Sequence, residues 1–312
     1  MTFEGAEQSI ITTIHGLYDD REAATIAAMV MEFVTGKTKM DRWLVKSETV
    51  SDNHLDRLQQ YTKQLQTGKP VQYVLGEAWF AGLCLNVNEH TLIPRPETEE
   101  LVNWIINDKH VNKNILDIGS GTGLLSLMLA QQSSAHITAI EIEAGAFEQT
   151  KTNFDLSPWK DRLNAIHSSI QDYASNNEQP LFDCIITNPP FYESDLNSPD
   201  NAKNLAAHST ALPWDVLAES AASLLQDDGA WYVLVPTLRA YTMQKLALNY
   251  GLQLSEECLM YNDAKHLPIR AMLKFVKQEE ATIQRNKIVI KNADQSYTTE
   301  FTTLLKEYYL HL

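Results

Sequence analysis

Residues 117 to 123 read Asp-Ile-Gly-Ser-Gly-Thr-Gly and have an apolar stretch on either side. The stretch before them predicts a buried strand over residues 114 to 118, and the stretch after them predicts a helix that starts near residue 124. The three glycines, Gly119, Gly121 and Gly123, let the backbone turn tightly and approach a ligand that side chains would block. Dinucleotide-binding folds use a similar turn, so the turn alone leaves the class of ligand open.

Short apolar strands alternate with helices after about residue 100, which predicts an α/β fold with a largely parallel, doubly wound sheet. The predicted strands cover residues 114–118, 137–141, 184–187 and 231–235. Helical periodicity fills residues 8 to 68, with Gly36 and Gly68 where helices should stop. Gly76 and Gly82 interrupt the apolar residues between positions 76 and 87, which predicts a hairpin. We therefore expect a helical, substrate-recognising domain at 1–75, a hairpin linker at 76–92 and the α/β domain at 93–312.

The composition of the 312 residues is that of a globular protein, with 44% hydrophobic and 21% charged residues. No apolar run approaches the ~20 residues that span a bilayer, and the N-terminus lacks a basic stretch followed by an apolar one. A cytoplasmic protein without membrane contact is expected. The net charge of −15 disfavours non-specific attraction to nucleic acid, although a local basic patch still allows RNA contact.

The cysteines lie far apart and show no metal-ligand spacing, so neither a disulfide framework nor a metal site is expected. Cys84, Cys184 and Cys258 are predicted to be buried, reduced thiols.

An Asp before Gly-x-Gly-x-Gly, without a phosphate-binding Lys, resembles motif I of the class I (Rossmann-like) methyltransferases. The resemblance implies S-adenosyl-L-methionine as the cofactor. Glu141, at the end of the second predicted strand, is expected to accept hydrogen bonds from both ribose hydroxyls, with Glu143 as the alternative. Asp172 is expected at the third strand, near the adenine edge, with Ile170 or Tyr173 on the adenine face. The predicted cofactor-binding residues are Asp117, Gly119, Ser120, Gly121, Gly123, Glu141, Asp172 and Asn188.

The segment Asn188-Pro189-Pro190-Phe191 follows a buried strand directly. The lone pair of an amide or aryl amine nitrogen is delocalised, so this nitrogen is a poor nucleophile until its N–H groups are held in place. The side-chain carbonyl of Asn188 and the backbone carbonyl of Pro189 are suited to accept those hydrogens. Phe191 is expected to stack on a flat substrate while the prolines keep the acceptors rigid. The predicted catalytic residues are therefore Asn188, Pro189, Pro190 and Phe191.

Residues from about 1 to 112 resemble the N-terminal part of the HemK/PrmC family, which methylates a glutamine of peptide chain release factors. The resemblance rests on Gly68-Lys69-Pro70-Val71-Gln72-Tyr73-Val74-Leu75-Gly76 and on Leu92-Ile93-Pro94-Arg95-Pro96-Glu97-Thr98-Glu99-Glu100-Leu101-Val102. It implies that Arg95, Glu97 and Thr98 border the substrate pocket. From the residues alone, this segment reads as a helix N-terminus.

Residues from about 113 to 312 look more like bacterial tRNA adenine-N6 methyltransferases. The resemblance is carried by Asn188 to Glu193, Asn204 to His208, Leu267 to Arg270 and the C-terminal Tyr297 to Phe301. HemK members typically have Tyr where Phe191 stands. Under the RNA interpretation, the substrate-contact candidates are Lys203, His208 and Arg270. A basic edge would comprise Lys287, Lys291 and Lys306.

The sequence thus predicts an N-methyltransferase that acts on a planar NH2 nitrogen. The favoured acceptor is the side-chain amide of a release factor glutamine, and the alternative acceptor is a tRNA adenine. Two further hypotheses are a cofactor-binding protein without turnover and a dinucleotide-dependent oxidoreductase.

Overall fold

The protein is described by a computed structural model that covers residues 1–94, 96–106, 108, 113–176, 180–189, 212–278, 282–294 and 296–299. The chain divides into two compact units. The first unit comprises Met1–Ala78 with Asn86–Glu89, and the second comprises Trp79–Leu85 and the residues from His90 onward. Each unit has a hydrophobic core of its own.

The helices of the first unit begin at side chains that cap them. The side chains of Thr2, Asp19, Thr38 and Ser51 each accept a hydrogen bond from a backbone N–H three residues further on, which satisfies donors at the helix start. Gly36 ends the second helix in the left-handed conformation, with φ of 64°. The predicted helical module is confirmed. Its helices are α1 Phe3–Ile14, α2 Asp20–Thr35, α3 Lys39–Leu44, α4 Asp52–Leu65 and α5 Val71–Leu75.

The predicted hairpin is formed by β1, Glu77–Phe80, and β2, Leu83–Asn86. Ala81 and Gly82 connect the two strands with φ of 51° and 73°. Two successive positive φ values are typical of the tight turns whose twist matches an antiparallel pair.

The second unit holds an eight-stranded sheet in the order β10-β8-β9-β7-β6-β3-β4-β5. Among the described strands of this sheet, only β9 is antiparallel to its neighbours, and all other pairs are parallel. The predicted largely parallel sheet is therefore confirmed. The helices are α6 Pro96–Ile106, α7 Leu124–Gln132, α8 Ala144–Leu156, α9 Ile170–Ser175, α10 Trp214–Leu224 and α11 Thr237–Asn249. The strands are β3 Asn114–Ile118, β4 His136–Glu141, β5 Leu163–His167, β6 Phe182–Thr187, β7 Leu225–Pro236, β8 Gln253–Asp263, β9 Arg270–Val276 and β10 Gln284–Lys291.

The chain enters the sheet at β3 and builds β4 and β5 on one side before it builds β6 and β7 on the other. The order of strands therefore reverses between β3 and β6. Ligands of open α/β sheets bind outside the carboxyl ends of the strands at such a reversal. The topology thus places the glycine-rich turn after β3 beside the Asn188 segment after β6.

The prediction for the cysteines is correct for two of them and wrong for the third. Cys184 and Cys258 are buried, but Cys84 is exposed. Cys84 lies on β2, where side chains alternate between two faces, and the neighbouring Leu85 is the buried one.

Within the described residues, no helix is long and apolar enough to cross a membrane. The same residues contain no group of three or more His, Cys, Asp or Glu side chains that is arranged to hold a metal ion.

Candidate functional site

Backbone pairing between β3 and β6 sets the position of the site. Ile118 and Thr187 are the last partners of this parallel pair. Gly119 and Asn188, the next residue on each strand, therefore leave the sheet side by side. Trp231 on β7 contacts the end of β6, because its indole N–H donates to the Thr187 hydroxyl at 3.3 Å.

The glycine-rich turn crosses from β3 to β4. The backbone N–H of Gly119 donates to the carbonyl of Ile140 at 2.8 Å. Gly119 and Gly121 have φ of 78° and 56°, in the left-handed region that favours glycine. A Cβ at either position would meet nothing within 4 Å. The turn therefore presents bare backbone to open space, as a ligand-binding turn requires.

The carboxylate of Glu141 fastens this turn to the end of β4. Its Oε2 accepts the backbone N–H of Gly121 at 2.9 Å, and its Oε1 accepts the N–H groups of Ile142 and Glu143 at 2.9 and 3.0 Å. Because a carboxylate has about four acceptor positions, one position remains for a ligand hydroxyl. A second ribose hydroxyl would have to replace one of the backbone donors.

Glu143, the alternative to Glu141, caps a helix. Its carboxylate accepts the backbone N–H of Ala146 at 2.6 Å in the first turn of α8. It also lies 3.5 Å from the His90 imidazole. These contacts are those of a helix start, and Glu141 is the acid that contacts the glycine-rich turn.

Asp117 is fully buried beneath the turn. Its Oδ2 accepts the Ser126 hydroxyl at 2.7 Å. Burial raises the pKa of Asp117 to about 7, against the opposing effect of the Ser126 hydrogen bond and with a smaller contribution from the negative charge of Glu141. Its Oδ1 has no hydrogen-bond partner within the described part of the chain. A buried oxygen without a partner is costly, so Oδ1 is available to a donor or a cation from outside the protein.

Helix α8 holds the turn from the other side through residues that the sequence analysis did not identify. The Thr150 hydroxyl donates to the carbonyl of Gly121 at 2.7 Å, and the Asn153 amide donates to the carbonyl of Thr122 at 2.8 Å. A Cβ on Gly123 would lie 2.7 Å from Phe154 Cε1. Thr150, Asn153 and Phe154 follow one another at helical spacing on the buried face of α8. That spacing is the sequence signal by which these contacts to the turn could have been anticipated.

Thr98 and Asn188 bring two of the predicted segments together. The Asn188 side-chain N–H donates to the Thr98 hydroxyl at 3.4 Å. Thr98 is buried in the first turn of α6, and the adjacent Pro189 is buried as well. With its nitrogen directed at Thr98, the Asn188 amide directs its carbonyl oxygen elsewhere. The amide therefore has an acceptor available for a substrate.

The predicted position of Asp172 on the third strand is wrong. That strand, β5, ends at His167, and Asp172 lies in the first turn of α9. Its carboxylate accepts the Ser169 hydroxyl at 2.6 Å, because Ser169 caps this helix. Asp172 is exposed, whereas Ile170 and Tyr173 pack in the core of the second unit. The Ser-x-x-Asp spacing is a helix-start signature that explains this placement.

Several predicted residues lie wholly or partly outside the described residues. The structure does not describe Arg95, Pro190, Phe191, Lys203, His208 or Lys306, and of Glu97 it describes only the backbone, which belongs to α6. Arg270 starts β9 opposite Pro236, the last residue of β7, so it lies at the same edge as Asn188. Lys287 and Lys291 lie on β10, the outermost strand on the side of the sheet away from β5.

Comparison with known proteins identifies two regions. Residues 97–249 match the methyltransferase small domain, and residues 16–76 match the PrmC N-terminal domain. The chain is 36% identical over 200 residues to the tRNA1(Val) (adenine(37)-N6)-methyltransferase of Phocaeicola vulgatus. The aligned region covers 64% of this chain and 84% of that relative. The chain therefore belongs to the same methyltransferase family as this relative. The enzyme of the same name from Cytophaga hutchinsonii is 36% identical over 199 residues, with 64% and 83% covered.

The fold of this methyltransferase is also found among solved structures. It is similar to the crystal structure of a predicted O-methyltransferase, protein Atu636 from Agrobacterium tumefaciens, with a TM-score of 0.51 and 13% identity. The likeness covers 68% of this chain and 97% of that one. It shows the class I α/β fold that the sequence predicts.

The protein is an S-adenosyl-L-methionine-dependent N-methyltransferase, and the residues present fit this cofactor. Gly119 and Gly121 leave room for close approach, and Asp117 Oδ1 is a buried oxygen without a partner in the described chain. A carboxylate in this position suits a ligand that carries positive charge. The relatives named above are tRNA adenine-N6 methyltransferases, and the release factor substrate predicted for this chain is not confirmed.

Proposed function

We propose that this methyltransferase transfers a methyl group to the N6 amine of an adenine in tRNA. The observation that carries the proposal is the Asn188 amide, held by Thr98 at the edge of the sheet beside the glycine-rich turn. When bound, S-adenosyl-L-methionine supplies a methyl group on a positively charged sulfur. The task of the protein is then to orient a poor nitrogen nucleophile.

The Asn188 carbonyl oxygen accepts one N–H of the adenine amine, and the Pro189 backbone carbonyl accepts the other. These two hydrogen bonds hold the amine so that its lone pair points away from both acceptors and towards the methyl group. Nitrogen loses its proton to solvent once it has gained the methyl group and a positive charge, so no strong general base is needed. Thr98 acts as a positioning residue, because its hydroxyl fixes the Asn188 amide by accepting from its N–H.

Asp117, Ser120, Glu141 and the glycines of the turn hold the cofactor in this proposal. Glu141 accepts one ribose hydroxyl in its remaining acceptor position. Asp117 interacts with the positive charge of the cofactor through Oδ1. Pro190 and Phe191 continue the catalytic segment as the sequence predicts, with Phe191 stacking on the adenine ring.

Exposed cations on helix α11 support an RNA acceptor. Helix α11 starts directly after β7, the neighbour of β6, and contains Arg239 and Lys245 but no acidic residue. The Tyr241 ring is 65% exposed, and Lys245 Nζ lies 4.6 Å from its centre. Exposed aromatic rings beside cations are suited to bases and phosphates. In a chain with a net charge of −15, a local surface of this kind is what an RNA substrate needs.

A release factor glutamine is the second candidate acceptor. The observation that favours it is the match of residues 16–76 to the PrmC N-terminal domain. The amide of a glutamine presents the same planar NH2 group, so Asn188 and Pro189 orient it in the same way.

The test is transfer of a labelled methyl group from the cofactor to unmodified tRNA and, in parallel, to purified release factor. The proposal predicts label in tRNA, with a KM that rises steeply with salt because phosphate contacts release counterions. Label in the release factor alone, lost when its acceptor glutamine is replaced, contradicts the tRNA proposal and supports the second candidate.

A further inference from the structure

A buried lysine lies in the middle of strand β9. Lys274 is 7% exposed, and the other residues from Ala271 to Val276 are buried and apolar. The Lys274 ammonium group donates to the Asp108 carboxylate at 2.5 Å and to the Glu256 carboxylate at 2.7 Å. A buried ion pair is often no more stabilising than well-packed apolar residues of similar volume. The triad of Lys274, Asp108 and Glu256 therefore needs an explanation beyond the stability of the core.

The lysine of this triad is charged. Burial acts to lower the pKa of Lys274, but the hydrogen bonds to Asp108 and Glu256 and the negative charges of these carboxylates outweigh burial and raise the pKa. Both contacts are therefore charge-assisted hydrogen bonds in a place from which water is largely excluded. Such bonds are short and directional, so they fix the groups that they join more precisely than apolar contacts do.

Asp108 fastens the C-terminal end of α6 to the sheet. It lies two residues beyond the helix, and its backbone N–H donates to the carbonyl of Ile105 in the last turn at 2.8 Å. Trp104 in the same turn packs edge-on against Tyr232 of β7, with 5.5 Å between the ring centres. Tyr232 is the register partner of Lys274. The last turn of α6 is thus held at one place on the sheet, by a salt bridge and by an aromatic contact.

The opposite end of α6 carries Thr98, whose hydroxyl accepts the Asn188 side-chain N–H. The eight helical steps from Thr98 to Ile106 span about 12 Å. A helix is stiff over this length, so a shift of its last turn along the axis also moves Thr98. The contact to Asn188 is already long at 3.4 Å. A displacement of a few tenths of an ångström away from Asn188 would therefore break it.

Apolar packing alone does not hold α6 to this accuracy. Leu101, Val102 and Ile105 are fully buried, but the hydrophobic effect is non-directional, and packed helices slide past one another by small amounts. A charge-assisted hydrogen bond at the end of the helix restricts such sliding. The polar contacts at the two ends of α6 are therefore coupled through the helix.

We propose that Lys274 is a positioning residue for methyl transfer. Through Asp108 it fixes the position of α6 along the helix axis, and Glu256 on β8 holds the ammonium group from the other side. The position of α6 in turn sets the contact by which Thr98 orients the Asn188 amide. The inference rests on the proposed role of Asn188 and applies to a tRNA adenine and to a release factor glutamine alike.

The test is a double-mutant cycle between Lys274 and Thr98. It measures kcat, KM and cofactor affinity with the acceptor that the wild-type enzyme methylates. Lys274→Met should lower kcat by roughly 2- to 10-fold, up to the loss of the Thr98 hydrogen bond itself, with KM and cofactor affinity unchanged. Because Lys274 acts through Thr98, the same substitution should lower kcat no further in a Thr98→Val background. Lys274→Arg, which keeps the charge, should recover part of the loss.

A second variant separates positioning from the effect of an uncompensated charge. Lys274→Met leaves two carboxylates buried without their cation, which destabilises the fold. The triple variant Lys274→Met, Asp108→Asn, Glu256→Gln removes all three charges and should remain folded by circular dichroism. It should nevertheless show the lowered kcat, because the contact that fixes the end of α6 is lost.

Lys277→Met is the matched control. Lys277 donates to the carbonyl of Leu225 and the carboxylate of Asp227 at the start of β7, so its loss should change stability and leave kcat at the wild-type value. A wild-type kcat in the folded triple variant overturns the inference, because the triad would then serve stability alone. Equal losses from Lys274→Met in the wild-type and Thr98→Val backgrounds overturn it as well. A wild-type enzyme that methylates neither acceptor would instead refute the proposed function.

Discussion

Thr98 and Asn188 are 90 residues apart in sequence, yet the Asn188 amide donates to the Thr98 hydroxyl at 3.4 Å. The contact joins the start of α6 to the end of β6, two segments that resemble different methyltransferase families. It also fixes which end of the Asn188 amide faces Thr98, and so leaves the carbonyl oxygen for the substrate.

Replacing Thr98 by valine tests the positioning role. Valine has the same shape but cannot accept the Asn188 N–H, so the amide loses its fixed orientation. We expect kcat to fall about tenfold, the equivalent of one hydrogen bond, with cofactor affinity unchanged. Thr98→Ser, which restores the hydroxyl, should recover most of the loss. Equal kcat for the valine and wild-type enzymes would show that Thr98 does not position Asn188.

Asp117 links the stability of the free protein to pH. Its pKa is about 7 in the folded protein and 3.8 in the reference state. Between these values the folded protein holds a proton that the unfolded chain has lost. The unfolding free energy therefore falls as pH rises from about 4 to about 7 and levels off above that. The total fall that this group causes is on the order of 4 kcal/mol. Denaturant titrations across this range should show the fall, and Asp117→Asn should remove it. An identical pH dependence in the variant would contradict the assignment.

The Ser126 hydroxyl tunes this response. Its hydrogen bond to Asp117 favours the ionised carboxylate, so Ser126→Ala should raise the pKa of Asp117 further. The decline in unfolding free energy should then continue to a higher pH before it levels off. Ser133→Ala is the matched control, because Ser133 follows the same helix but donates to the carbonyl of Leu129. If the unfolding free energies of the two serine variants depend on pH in the same way, Ser126 does not tune the pKa of Asp117.

Two glycines of the turn differ in what surrounds them. Gly119→Ala places a Cβ in open space at φ of 78°, whereas Gly123→Ala places it at φ of 79° and 2.7 Å from Phe154 Cε1. Both variants should lose about 1–2 kcal/mol of stability from left-handed strain, and Gly123→Ala should lose at least ~1 kcal/mol more from overpacking. Urea unfolding measures both. Equal losses would mean that Phe154 moves aside without cost.

Patterns that are local in sequence predicted much of the fold. The strands around residues 114–118 and 184–187 are nearly continuous apolar runs, as expected of strands buried on both faces. The strands β5, β8, β9 and β10 were not predicted. The burial of β5, β8 and β10 is partial and irregular, so sequence periodicity does not register it, whereas β9 is almost continuously buried. Asp172 was misplaced because Ser169 caps a new helix directly after β5, which puts Asp172 in the first turn of that helix.

Local motifs also predicted which residues gather at the carboxyl edge of the sheet, including Asp117, Glu141 and Asn188. Sequence could not predict the contacts that hold them, such as Ser126 beneath Asp117 and Thr150 against Gly121, because these depend on how helices pack over the turn.

Analysis of the nucleosides released from tRNA tests the central claim most directly. Unmodified tRNA is incubated with the cofactor and either the wild-type enzyme or Asn188→Ala, then digested and analysed by mass spectrometry, while cofactor binding is measured for both proteins. The account predicts N6-methyladenosine with the wild-type enzyme and its loss with Asn188→Ala, at similar cofactor affinity. N6-methyladenosine at the wild-type rate with the variant, or a methyl group on any other atom, would contradict the account.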